Sequence, residues 1–226
     1  MRPEWRLILD GAHDGLFNMA ADAYLLENSE RPTLRLYGWN SPWISLGYAQ
    51  RQPTSSFAAF PVVRRPSGGR ALLHAAELTY CIVLPQCPSD WSISQAFEHL
   101  TSGLGAALLG LGVEVHRATT SLPPGRQISC MALQQQGELH SERGKLVGSA
   151  QVRRGSRLLQ HGSLPIRVDQ ELLQRAFPGH PPCWGLEDLG YTMPSSIQLA
   201  DSLAEVWKLD WQIASWSEAE LEAIRG

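Results

Sequence analysis

The stretch Arg64-Arg65-Pro66-Ser67-Gly68-Gly69-Arg70-Ala71-Leu72-Leu73-His74, with Glu77-Leu78-Thr79-Tyr80 close behind it, sets the reading of this chain. Pro61-Val62-Val63 before it reads as a strand, and Leu78-Thr79-Tyr80-Cys81-Ile82-Val83-Leu84 after it reads as another. A glycine pair lets the backbone turn sharply and come close to a ligand. The flanking arginines supply fixed positive charge and bidentate donors for a phosphate, carboxylate or carbonyl. Arg65, Gly68, Gly69, Arg70, Ala71, Leu72, Leu73 and His74 are therefore candidate substrate-binding residues. The same residues also fit a plain hairpin turn with solvated arginines, and a motif this short does not decide between the two.

A second block carries the reading further. Cys130-Met131-Ala132 is followed, fifteen positions after the cysteine, by Lys145-Leu146-Val147-Gly148-Ser149-Ala150-Gln151, and then by Leu158-Leu159-Gln160-His161-Gly162-Ser163-Leu164. Together with Asn18-Met19-Ala20-Ala21-Asp22 and Thr33-Leu34-Arg35-Leu36-Tyr37-Gly38-Trp39, these blocks resemble the biotin/lipoate protein ligase family. Within it the chain is most similar to the cysteine-dependent octanoyltransferases of lipoate synthesis. The blocks stand in the family's order from about Asn18 to Leu164.

Composition fits that resemblance without selecting it. The 226 residues are enough for one domain with its own core, and the resemblance implies that 1–226 is a single acyltransferase domain of that family. Hydrophobic residues make up 43% and charged residues 18%, ordinary for a globular protein. A net charge of -3 leaves no basic excess to attract nucleic acid. Met1-Arg2-Pro3-Glu4-Trp5 lacks the apolar run of a signal peptide, and the least polar stretch, 104–113, is shorter than the ~20 residues of a membrane span. The expected location is cytoplasmic, away from membranes.

Four cysteines, Cys81, Cys87, Cys130 and Cys183, form no Cys-x-x-Cys, and no histidine pair has metal-ligand spacing. Neither a metal nor a disulfide framework is expected. Cys81 lies in an apolar strand and reads as a small buried hydrophobe, while Cys87 and Cys183 sit among prolines and read as loop residues.

The sequence predicts strands at 7–9, 33–37, 43–46, 61–65 and around 70–84, and a helix near 15–29. Ser92-x-x-Gln95, Ser195-x-x-Gln198 and Ser217-x-x-Glu220 are capping boxes, opening helices to about Leu109, over 196–207 and over 218–225. Asp169 caps a short helix through Phe177, and Arg154-Gly155-Ser156 joins strands 145–153 and 157–164 as a hairpin. Strands and helices are interspersed without regular alternation. The predicted fold is α+β: one mixed, largely antiparallel sheet flanked by helices on one side, as the resemblance also implies.

A thiol accepts an acyl group as thiolate, and with an unperturbed pKa of about 8.5 only a few per cent is ionised at neutral pH. An adjacent ammonium stabilises the charged form. The resemblance implies that Cys130 is the nucleophile, that it carries an acyl thioester, and that Lys145 activates it. A lysine after the turn at Arg143-Gly144 also fits a solvated hairpin residue. With an intact pleat from Lys145 onward, Lys145, Val147, Ser149 and Gln151 share one face. Gly148 would then offer a place of close approach, with His161 on the neighbouring strand. Gly148, Ser149 and His161 complete the substrate-binding candidates, although His161 reads equally as a satisfied structural histidine.

The resemblance also implies an apolar tunnel for a medium acyl chain, with the segment from Arg65 to Leu73 as its polar mouth. It implies octanoyl acyl carrier protein as donor, a lipoyl-domain lysine as acceptor and no cofactor. Three departures stand out: Ala75 where the family has aspartate after the histidine, Ala23 where it often has glutamate, and Met131 where an aromatic commonly follows the cysteine. The competing readings are an ATP-dependent lipoate–protein ligase, which has no need of Cys130, a lipoyl amidotransferase, and a catalytically silent protein that binds acyl carrier or lipoyl domains.

Overall fold

The computed structural model describes residues 2–52, 57–120, 129, 131 and 136–226. In chain order the elements are β1 (Glu4–His13), α1 (Gly15–Asn28), β2 (Thr33–Trp39), β3 (Trp43–Leu46), β4 (Val62–Arg64), β5 (Leu72–His74), β6 (Glu77–Leu84), α2 (Ile93–Gly110) and β7 (His116–Arg117). There follow β8 (Leu139–Ser141), β9 (Gly144–Lys145), β10 (Gly148–Arg154), β11 (Arg157–Pro165), α3 (Gln170–Ala176), α4 (Ser196–Trp207), β12 (Asp210–Ile213) and α5 (Glu218–Arg225).

Six strands form the main sheet in the order β10-β11-β6-β2-β1-β12. β1 runs parallel to both β2 and β12, and the other three pairings are antiparallel. The sheet is thus mixed and largely antiparallel, as the sequence predicts. Two small sheets, β4-β3-β5 and β7-β8-β9, complete the α+β architecture.

Helices lie on both faces of the main sheet, which corrects the one-sided expectation. Alternate strand residues sort into two cores. Leu7, Leu34, Leu36, Tyr80, Ile82 and Leu158 pack with Leu100 and Leu104 of α2 and Leu199 and Leu203 of α4. Ile8, Tyr37, Cys81, Val83 and Leu159 pack with Met19, Leu25 and Leu26 of α1. The physical reason is visible in β6, where all eight residues are buried. A continuous apolar run marks a strand covered on both faces, whereas a one-sided sheet alternates apolar with polar.

The helix signals hold locally. All three capping boxes close, with the serine accepting from the N3 amide and the N3 side chain accepting from the serine amide. Asp169 caps α3 through Leu172 N. No helix among the described residues is long and apolar enough to cross a membrane.

The expected strand 145–153 is broken after Lys145. β9 pairs with β8 in a small sheet, and β10 starts afresh at Gly148 in the main one. Leu146 and Val147 are both fully buried, and both amides reach the Leu139 carbonyl, at 2.9 and 3.2 Å. Two successive buried residues break the two-residue period, so Lys145 and Ser149 do not share one pleated face.

Candidate active site

A cavity of about 350 Å³, counted to its mouth, opens where the main sheet meets the β4-β3-β5 sheet. Tyr37, Thr79, Gly148, Ser149, Ala150, His161, Gly162 and Ser163 line it from the main sheet, with Met19 of α1. Ser45, Arg65, Leu72 and His74 close the other side. A second cavity of about 510 Å³ shares Leu72 and Ser163 as wall and continues past Leu73, Glu77, Ser129, Met131, Arg167 and Phe177. Of the sequence candidates, Arg65, Leu72, His74, Gly148, Ser149 and His161 meet at the first cavity and Leu73 at the second. Gly68, Gly69, Arg70 and Ala71 line neither.

The glycine block is built as a turn stapled by its own arginine. Arg65 is 5% exposed and donates to Ser45 O, Ser45 Oγ, Gly68 O and Arg70 O. A guanidinium has five N–H donors. These contacts engage each of them: Nε and Nη2 reach Gly68 O, Nη2 reaches Arg70 O, and Nη1 reaches both Ser45 oxygens. Arg64 likewise donates to the carbonyls of Gly47 and Gln50, at 2.8 Å each. Gly69 has φ +86°, and a Cβ there would stand 2.9 Å from Arg65 Nη2. A β-branched residue tolerates that φ poorly. Gly69→Val is therefore expected to cost about 1–3 kcal/mol and to lower the melting temperature. The folded fraction should still bind an acyl donor, and a donor titration on the same variant separates the two effects.

Two buried histidines face the first cavity, each in a chain that ends on a carboxylate. His74 Nδ1 lies 2.8 Å from Glu77 Oε1, and its Nε2 lies 2.7 Å from Ser45 Oγ. The ring stacks on Trp39, with centroids 3.9 Å apart and planes 13° from parallel. Trp39 Nε1 donates to Thr79 Oγ1, whose hydroxyl donates to Glu77 Oε1. Glu77 thus holds His74 by the carboxylate that Ala75 lacks. His161 Nδ1 lies 2.7 Å from Asp22 Oδ2 and its Nε2 2.6 Å from Ser67 Oγ. His161 is 5% exposed, so it is both a satisfied histidine and a wall of the cavity.

Behind His161 sits a buried ionic cluster. Arg35, 0% exposed, donates to Asp10 Oδ2, Asp22 Oδ1, Asn18 O and Asn18 Oδ1, with its guanidinium 3.8 Å from the Tyr37 ring centre. Burial pushes the Asp22 carboxyl up, but the hydrogen bond from His161 and the charge of Arg35 hold it below the usual range. Burial pushes Cys81 well up beside Asp22, so this thiol stays protonated, in line with an inert strand cysteine.

Lys145 is buried, not solvated. It is 8% exposed and pairs with Glu138 at 2.7 Å. The sequence did not single out Glu138, because nothing local ties it to a lysine seven residues on. The ammonium is felt at Cys183, whose thiol burial pushes up and Lys145 pulls back, to about 11. Cys183 and Cys87 are loop residues, as expected, but both are buried. Cys130 lies outside the described residues. Of its neighbours, Ser129 bridges to Ala71 alongside β5, and Met131 Sδ would be 3.1 Å from a Cβ at Gly148. Among the described residues no group of three or more His, Cys, Asp or Glu converges as metal ligands would.

Comparison with known proteins adds an independent line. Residues 14–186 match the family model of the lipoyl protein ligase A/B catalytic domain. The chain is 34% identical over 237 residues to the octanoyltransferase LipM of Kyrpidia tusciae, covering 89% of this chain and 85% of that protein. It is 38% identical over 183 residues to the octanoyltransferase LipM of Carboxydothermus hydrogenoformans, covering 76% and 68%. In fold it is similar to a chain from the structural analysis of a bipartite lipoate protein ligase and its E2 lipoyl domain from Thermoplasma acidophilum, with a TM-score of 0.76 and 18% identity over 99% of this chain and 91% of that one.

Proposed function

This chain belongs to the lipoyl protein ligase A/B catalytic-domain family, and on that premise we propose that it is a protein octanoyltransferase acting through a thioester on Cys130. The octanoyl group would come from acyl carrier protein and pass to a lysine of a lipoyl-domain protein. The observation that carries this reading is the extended identity to relatives that are octanoyltransferases. The site chemistry agrees with it. A narrow cavity with Met19, Leu72 and Ala150 in its wall suits an alkyl chain. Arg65, the buried cation there, gives its donors to protein oxygens, an arrangement that suits an uncharged thioester better than an adenylate phosphate.

Intact-protein mass spectrometry after incubation with octanoyl acyl carrier protein, without nucleotide, tests the reading. A covalent octanoyl adduct, released on adding lipoyl domain, is expected. Strict dependence on ATP would replace the transferase with a ligase.

Lys145 supports the same route as the activating charge. Lys145→Ala is expected to slow acylation about tenfold for each unit by which the Cys130 thiol rises. The iodoacetamide alkylation rate should move to higher pH in step. Identical alkylation profiles in the two proteins would take Lys145 out of that role.

A further inference from the structure

The second cavity contains a carboxylate oxygen that the fold leaves open. Glu77 is 7% exposed and lines the second cavity, not the first. Its Oε1 lies 2.8 Å from His74 Nδ1 and accepts from Thr79 Oγ1 at 2.6 Å. Its Oε2 has no hydrogen bond to any described residue. Oε1 is turned to the His74 and Thr79 side, so Oε2 is the oxygen that Glu77 offers to the second cavity. A carboxylate oxygen held in a largely buried place without a donor carries a desolvation cost, and a ligand that brings a donor relieves it.

The rest of the wall is mostly apolar, with Leu72, Leu73, Leu172, Leu173 and Phe177. Such a wall suits an alkyl stem that carries a charged head. The count of oxygens selects the head. A guanidinium pairs best with both oxygens of a carboxylate, and Oε1 is taken. A metal ion needs several ligands, and no group of three or more His, Cys, Asp or Glu gathers as metal ligands among the described residues. An ammonium is a compact point charge that a single oxygen can receive. An alkylammonium is the group that matches both the wall and the oxygen.

We propose that the second cavity receives the side chain of the acceptor lysine, with its alkyl stem along the apolar wall and its ammonium on Glu77 Oε2. The inference rests on the lipoyl-domain reading above and deepens it by naming where the acceptor side chain sits. The place suits that reading. The second cavity shares Leu72 and Ser163 with the acyl cavity, and Ser129 and Met131, the chain neighbours of position 130, line it. The other charges around it leave Glu77 as the partner. Arg167 and Asp169 stand at the exposed rim with opposite signs, and Lys145, whose charge reaches Cys183 in this wall, is paired with Glu138. Glu77 is in this scheme a specificity residue: it selects a charged amine and sets where it binds.

Equilibrium binding tests the site without any acyl chemistry. Glu77→Gln keeps an oxygen for His74 and Thr79 and turns an NH₂ donor toward the cavity. Calorimetry on the wild type and this variant, with a lipoyl domain and with the same domain carrying methionine in place of its target lysine, makes a double-mutant cycle. The variant is expected to bind the lysine domain about tenfold more weakly and the methionine domain as the wild type does. Equal losses on the two domains are what a purely structural role gives, and that result, or no loss on either, overturns the site. n-Butylamine, followed by ligand-observed NMR, supplies a second arm. It is expected to bind the wild type and to lose binding in Glu77→Gln and in Leu172→Trp, which narrows the cavity from a half-buried position on α3. Undiminished butylamine binding in Leu172→Trp overturns the site even if Glu77→Gln fails to fold. Butylamine held through Glu77, with no binding of lipoyl domain to the wild type, would keep the pocket and overturn the lipoyl-domain reading on which its occupant rests.

Discussion

Cys130→Ser is expected to abolish octanoyl transfer, by on the order of 10⁴-fold or more, while leaving the melting temperature unchanged. The argument is chemical. A thiol near an ammonium ionises within reach of neutral pH, and its anion is a strong nucleophile toward a thioester. An alcohol keeps its proton there, and a serine needs an aligned imidazole to take it. The two buried histidines already have their Nε2 atoms against Ser45 and Ser67, so neither is free to serve a new hydroxyl. The measurement is the yield of octanoylated lipoyl domain, with circular dichroism on the same sample. Turnover near the wild-type rate in the serine variant would remove Cys130 from the mechanism and leave direct transfer or an adenylate as the route.

How much of this was legible in the sequence depended on the range of each interaction. The capping boxes at Ser92, Ser195 and Ser217 are contacts across three residues, so their helices were read to within a residue or so. The hairpin at Gly155 is equally local, and its register pairs Arg154 with Arg157 as its turn requires. β12 was missed because Asp210-Trp211-Gln212-Ile213 is short and pairs with β1, some two hundred residues away. The break after Lys145 was missed because it depends on Leu146 and Val147 both reaching the core, which a two-residue period cannot express. In the site, His74, His161 and Arg65 stood out as residue types, but their partners did not. Glu77, three residues from His74, was within reach of local reasoning: the i+3 carboxylate was passed over in favour of the position after the histidine. Asp22 reaches His161 from α1, and Glu138 reaches Lys145 across the β8–β9 hairpin, and nothing local in the sequence ties either carboxylate to its partner.

The buried cluster behind His161 should make Arg35 the most stability-sensitive charged residue of the described chain. Arg35→Leu removes the cation between Asp10 and Asp22 and leaves Asp22, 0% exposed, with less to offset its burial. Breaking a buried ion pair from one side costs about 3–5 kcal/mol, which for a chain of this size lowers the melting temperature by roughly 6–20 °C. Packing alone would also cost something, and pH separates the two causes. In the wild-type fold the Asp22 carboxyl is held below its usual range. An acid that holds its proton less tightly when folded than when unfolded stabilises the fold above the unfolded pKa of about 3.9, and that contribution fades as pH falls through the folded value. Without Arg35, burial pushes the Asp22 carboxyl up with less opposition. The acid-unfolding midpoint of Arg35→Leu should therefore lie at higher pH than that of the wild type. Asp22→Asn in the Arg35→Leu background removes the stranded carboxylate, so the double variant should lose less than the sum of the single losses. Strict additivity, or an acid midpoint that does not move, would mean that Arg35 acts here by volume and not by charge.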